Sequence, residues 1–285
     1  MEKKIIASIK APISKSMGPH VRQVIPSTVG DLDPFVFLDH FGPFTKSPDF
    51  KGVPPHPHAG IATITYLLEG SNRHQDSYGH EALISSGDLA WMQAGKGIVH
   101  AEGMDELNTE NETVHGLQFW ISLPAKDKFI EPDFFHYKKE QFPVINENGI
   151  EYKVIVGELK GEKSPVKSLS PAMIFDIQIT ENSQFELPIQ DKYSSGIYVI
   201  EGEIEIEGKK LLPTSMTKFS LEGETITIKA ESNSRIIVLG GLPLNEPIVG
   251  YASFVMNSME QIQQVMTDYQ MGKMGEIEGS VEIEV

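Results

Sequence analysis

Cysteine is absent from all 285 residues. The chain can therefore form no disulfide, zinc thiolate or iron–sulfur site, and it has no thiol nucleophile. Any transition metal must be held through nitrogen and oxygen. Long hydrophobic runs are missing as well, and none approaches the ~20 residues that span a bilayer. The opening MEKKIIASIKAPISK has only a short apolar stretch between lysines and makes a poor signal peptide. Asn111-Glu112-Thr113 matches a glycosylation sequon, but with no secretory signal ahead of it the match is read as coincidence. Basic residues are few, 24 against 40 acidic, for a net charge of −16. That field repels phosphate backbones, so direct nucleic-acid binding is disfavoured and a neutral or cationic partner is easier to accommodate. Together these absences predict a cytoplasmic protein with no membrane association.

What is present is ordinary for a globular chain: 40% hydrophobic and 22% charged residues, with a length that suits two domains. Short β-type segments alternate with turns. Ile61–Leu68 is rich in β-branched and apolar residues and ends at Glu69-Gly70. Ala82–Ile84, Leu89–Met92 and Ile98–Glu102 follow, separated by Ser85-Ser-Gly-Asp88 and Ala94-Gly-Lys-Gly97. This spacing predicts an all-β sandwich or barrel of antiparallel strands. Tyr66-Leu-Leu-Glu-Gly70 recurs 132 residues later as Tyr198-Val-Ile-Glu-Gly202, again leading into hairpin-like segments at 203–208, 225–229 and 235–240. The echo suggests a duplicated domain. One packing helix is well marked near the end. Ser258 is its expected N-cap, Gln261 completes a capping box, Ile262, Val265, Met266 and Tyr269 form the apolar stripe, and Gly272 stops it.

The nine histidines all lie between positions 20 and 136, so imidazole chemistry belongs to the first half. In His56-Pro57-His58 the two rings share one face of an extended strand, and Pro57, lacking an N–H, places that strand at an edge or near its own start. His100-Ala101-Glu102 repeats the geometry on a later strand. Two such pairs on neighbouring strands can close on one divalent ion with three nitrogens and one carboxylate oxygen. Neutral imidazole suits iron, copper, nickel or zinc, and four protein ligands leave positions open for water, oxygen or substrate on an ion that prefers six. His40, His74, His80, His115 and His136 lack such pairing and are read as structural or exposed, His115 as a buried, hydrogen-bonded ring.

At this point the sequence resembles a pirin, of the cupin superfamily. The resemblance is dense in residues 56–70, in Gln75-Asp-Ser77, in Gly87–Glu102 and in Gly116-Leu-Gln-Phe-Trp120, and it returns in 240–247 and 254–257. It implies two tandem cupin, jelly-roll-type β-barrels with a short C-terminal helix: residues 1–134 holding the metal and residues 135–285 lacking its ligands. It implies one divalent ion, usually iron, with nickel, manganese, copper and zinc compatible with the donors. Carried over position by position, the family's ligands fall on His56, His58, His100 and Glu102. Where the family usually has a basic residue, glycine, an aromatic and glutamate after the second histidine, this chain has Ala59-Gly60-Ile61-Ala62. Glu102 is then the lone carboxylate ligand, and the charge near the pocket mouth is altered at position 59. Stepping 132 residues from His56 and His58 reaches Pro188 and Gln190, where no histidine is available. The activity implied is that of a quercetin 2,3-dioxygenase, taking a small flavonol-like aromatic and dioxygen with Glu102 as the base. The alternative is an iron-binding redox sensor that acts through a protein partner without catalysis.

Overall fold

The computed structural model of the chain describes residues 1–14, 20–25, 32–46, 52–103 and 112–277. Asn111, of the sequon, lies outside them. Strands dominate, and the only α-helix among the described residues is Met259–Gln270. The fold is all-β, strands in several sheets with that one short helix near the end.

The chain divides into two compact units. One, here the histidine unit, comprises Ser16–Val21, Asp39–Lys139 and Asn245–Val285. The other, the aliphatic unit, comprises Met1–Lys15, Arg22–Leu38 and Glu140–Leu244. This division differs from the sequential halves 1–134 and 135–285, and strand pairing gives the reason. Strand Ile5–Lys10 pairs antiparallel with Ser215–Phe219, from Ile5↔Phe219 to Lys10↔Ser215, and so becomes an edge of the aliphatic unit's large sheet. At the other end, Phe254 forms a parallel bridge with Ala59, which ties the last segment into the histidine unit.

The aliphatic unit has a seven-stranded sheet and a four-stranded one. Gln184–Pro188, Thr225–Ala230, Ile204–Ile206 and Lys209–Leu211 make the smaller sheet in that order. One hydrophobic cluster draws on both, with Tyr152, Phe175, Ile197 and Val238 from the larger and Leu187, Ile204, Ile226 and Ile228 from the smaller. Each such aliphatic side chain contributes roughly 1.5–3 kcal/mol by leaving water. Segment 203–208, a strand of six by its alternation, keeps only Ile204–Ile206 as strand. Glu207 has φ +52, so the chain is already turning there.

The histidine unit repeats this plan. Within it, Asp133–Tyr137, Leu89–Gln93, Ile61–Glu69, Thr113–Ser122 and the later part of Phe35–Thr45 belong to the large sheet. Val53–His58, Ile98–Glu102, Ser71–Asp76 and Glu81–Ser85 make a four-stranded sheet in that order. The histidine pair therefore lies on the sheet's edge strand, where a proline costs no ladder hydrogen bond.

The duplication is visible residue by residue. Tyr66 and Tyr198 anchor equivalent strands. In the histidine unit His74 faces Glu102, and His100 sits between His56 and Asp76. In the aliphatic unit Ile204 faces Ala230, which continues to Ile206 opposite Ile228, and Ile226 faces Leu187. The positions of His56, His100, His74 and Glu102 are thus taken by Leu187, Ile226, Ile206 and Ile228, all buried. The expected correspondence with Pro188 shifts by one residue, to Leu187.

Candidate metal centre

Three imidazoles meet on the small sheet of the histidine unit. Ligand-type atoms of His56, His58 and His100 all lie within 4.8 Å of one another. The register explains this. His56 is directly opposite His100, and His58 follows on the same face two residues on. Ring centroids are 4.4 Å apart for His56 and His100, 4.9 Å for His56 and His58, and 5.0 Å for His58 and His100.

The outward nitrogens of His56 and His58 are tied down. His56 Nδ1–H donates to the Pro54 carbonyl at 2.9 Å, and His58 Nδ1–H donates to the Ser253 carbonyl at 3.2 Å. Each bond fixes the tautomer that leaves Nε2 with a lone pair. His100 Nε2 stands 3.0 Å from His56 Nε2, while His100 Nδ1 is buried without a hydrogen-bond partner. His58 and His100 titrate well below the usual histidine range, first because they are buried and then because His56 lies beside both. They are neutral at pH 7, as ligands must be.

This donor set fits a cation. Two nitrogens bound at about 2.1 Å and at right angles around one ion stand about 3.0 Å apart, the separation seen between the two Nε2 atoms. Without an ion, two lone pairs face each other over that distance, or one proton is shared between them.

Glu102 stands apart from the trio. Its Oε1 accepts from Thr65 Oγ1 at 2.9 Å and from Asn72 Nδ2 at 3.4 Å. Its Oε2 has no partner among the described residues. Thr65 Oγ1 is also 2.7 Å from Gln118 Oε1. A hydroxyl carries one proton, so both contacts are satisfied when the Gln118 amide is turned to donate to Thr65 and Thr65 donates to Glu102. Trp120, two residues on from Gln118, meets the His58 ring edge-on at 5.0 Å. Sequence reading missed Thr65, Asn72, Gln118 and Trp120, because threonine, amides and one tryptophan carry no metal signal of their own.

Of the remaining histidines, His40 and His115 face each other, Nε2 to Nε2, at 2.6 Å in a buried pair, so one donates to the other. His136 contacts Asp88 at 2.9 Å. His74 does have a partner two residues away. Its Nε2 is 3.1 Å from Asp76 Oδ2, and Asp76 in turn holds His80. His74 also stacks on Phe134 at 4.0 Å and lies 5.5 Å from the His100 ring. His74-Gln75-Asp76 has the same i, i+2 spacing as His56-x-His58 and His100-x-Glu102, a signal that could have found it. Ala59 is fully buried beside Phe254, Met256, Ile262 and Val265, so position 59 is not at a pocket mouth.

Comparison with known proteins places these features in a family. The Pirin family model matches residues 18–121, and the Pirin C-terminal cupin domain model matches residues 174–275. A pirin-like protein of Solanum lycopersicum is 38% identical, over 86% of this chain and 83% of its own. Human pirin is 35% identical, over 92% and 90%. Among solved structures, a quercetin 2,3-dioxygenase from Acinetobacter baumannii superposes with a TM-score of 0.91 at 28% identity, covering 99% of this chain and all of that one. With both cupin domains matched and relatives this similar over most of its length, the chain belongs to the pirin family.

Proposed function

We propose that the chain is a metal-dependent dioxygenase of the quercetin 2,3-dioxygenase type, with iron as its resident divalent ion and a small flavonol-like aromatic and dioxygen as substrates. The observation that carries this reading is the trio His56, His58 and His100, with the His56 and His58 tautomers fixed outward and the nitrogens at ligand spacing. The whole-length likeness to a quercetin 2,3-dioxygenase supports this reaction class.

A bound divalent ion supplies Lewis acidity, which lowers the pKa of a substrate hydroxyl and makes its ring electron-rich. The chain's own groups do the rest. His56, His58 and His100 would hold the ion. Glu102, either as the fourth ligand or one hydrogen bond away, receives the hydroxyl proton on its unpartnered Oε2. Thr65 and Asn72 hold Oε1 and so aim Oε2. The Trp120 indole beside His58 offers an apolar flank for an aromatic substrate.

The test is aerobic incubation of the metal-loaded protein with quercetin. Loss of the flavonol's visible absorbance is expected, and His100→Ala should abolish it together with metal uptake. A loaded protein that leaves quercetin unchanged would turn the reading toward the redox sensor, whose own mark is partner affinity that changes with the metal's oxidation state.

A further inference from the structure

Ion binding by the trio depends on the last segment of the chain, and we infer that this carboxy-terminal arm, pinned by Lys128, positions His58 for the metal. The inference rests on reading His56, His58 and His100 as the metal centre.

The contacts run residue by residue along the ligand strand. Ser253 Oγ–H donates to the Pro57 carbonyl, and the Ser253 carbonyl accepts from His58 Nδ1. Val255 N–H donates to the Ala59 carbonyl at 3.1 Å. The arm thus runs beside residues 57–59, joined to them by the isolated parallel bridge Ala59↔Phe254. Gly60 has φ +76, and a Cβ there would come within 2.1 Å of the Val255 carbonyl, so the close approach requires glycine.

Lys128 holds this junction. It is completely buried, and its Nζ donates to the Gly60 carbonyl at 2.8 Å, Ser122 Oγ at 2.8 Å and the Val255 carbonyl at 2.9 Å. Three acceptors meet the three protons of an ammonium. One belongs to the segment following His58, one to the large sheet and one to the arm. Further along, Ile262, Val265 and Met274 pack with Ala59 and Val99. Ser77 Oγ donates to the Met274 carbonyl at 2.5 Å and accepts from Val99 N at 3.1 Å. The arm therefore grips both ligand strands, one beside His58 and the other beside His100. Among the described residues its polar contact with a ligand ring is the Ser253 carbonyl, which selects the tautomer that can bind an ion.

The experiment compares cobalt(II) binding by the full-length protein and by Lys128→Met, measured by chelator competition and by visible absorption. Loss of such an outer partner costs metal affinity about 10- to 100-fold. Lys128→Met should weaken binding at least tenfold and alter the cobalt spectrum at a temperature where calorimetry shows it folded. Wild-type affinity and spectrum in the folded variant would overturn the inference. Should the variant fail to fold, the wild-type protein decides. Coupling is reciprocal, so cobalt must slow amide exchange across residues 249–277, and unchanged exchange there overturns the proposal as well. A wild-type protein that takes up no cobalt brings down the metal-centre reading and the arm's role together, an outcome distinct from equal binding by both proteins.

Discussion

Glu102 ends its strand with one carboxylate oxygen held by Thr65 and Asn72 and the other without a partner among the described residues. Replacing it by glutamine keeps the shape and removes the proton acceptor. Glu102→Gln should retain ion binding through the three histidines yet lose about 10²- to 10⁴-fold in turnover, the usual worth of a positioned base. Comparing kcat with metal content measures both. Asp39 tells a different story. It is buried, its Oδ1 has no hydrogen-bond partner, and burial raises its pKa to about 7. The folded state thus holds a proton that the unfolded chain releases near pH 4. Its contribution to stability is full below that value and is lost as pH rises through about 7. Asp39→Asn should flatten this fall and raise the melting temperature at pH 8, read by calorimetry across pH 5 to 8. The histidine pairs were legible from spacing alone, because a period of two and ligand chemistry coincide in His56-x-His58 and His100-x-Glu102. Placing the Glu102 carboxylate was not, since its direction depends on Thr65 and Asn72, which come from other strands.

Side-chain identity on a shared strand order distinguishes the two units. The two small sheets share one plan, but Leu187, Ile206, Ile226 and Ile228 stand where the other unit has His56, His74, His100 and Glu102. The first set builds a core, and the second puts imidazoles and a carboxylate in place of that apolar burial. Ile226→Ala should therefore cost about 2–5 kcal/mol of stability and leave metal uptake unchanged, as denaturant unfolding and elemental analysis would show. Most strands could be read from their alternation, and Ile98–Glu102 agrees to the residue. The helix was equally legible. Ser258 Oγ accepts from Gln261 N at 3.3 Å, as a capping box requires. The return bond goes elsewhere, because Gln261 Oε1 accepts from Asn257 N at 2.9 Å, one residue earlier than the box predicts. Exchange of end segments between the units left no trace in any local pattern. It rests on long-range pairings such as Ile5↔Phe219 and Ala59↔Phe254, which no window of sequence contains.

On the scale of the whole chain, each unit is fastened by a buried lysine. Lys3 Nζ donates to the carbonyls of Tyr193, Ser220 and Leu221 at 2.9–3.0 Å, fixing the first strand to the aliphatic unit. Burial lowers its pKa, opposed by Asp191 and Glu222. Lys3→Met leaves three carbonyls without donors and should cost about 3 kcal/mol or more, while cobalt affinity stays at the wild-type value, in contrast to Lys128→Met. The composition announced the acidic surface and the nitrogen–oxygen ligand chemistry. It held no sign of these two lysines, because an ammonium that caps three carbonyls looks like any other lysine until the fold gathers its acceptors. The late return of Asn245–Val285 to the histidine unit also sets an order of events during synthesis. A ribosome delivers His56, His58 and His100 well before Ser253 and Val255. Until those later residues emerge, the nascent trio lacks the Ser253 carbonyl that orients His58.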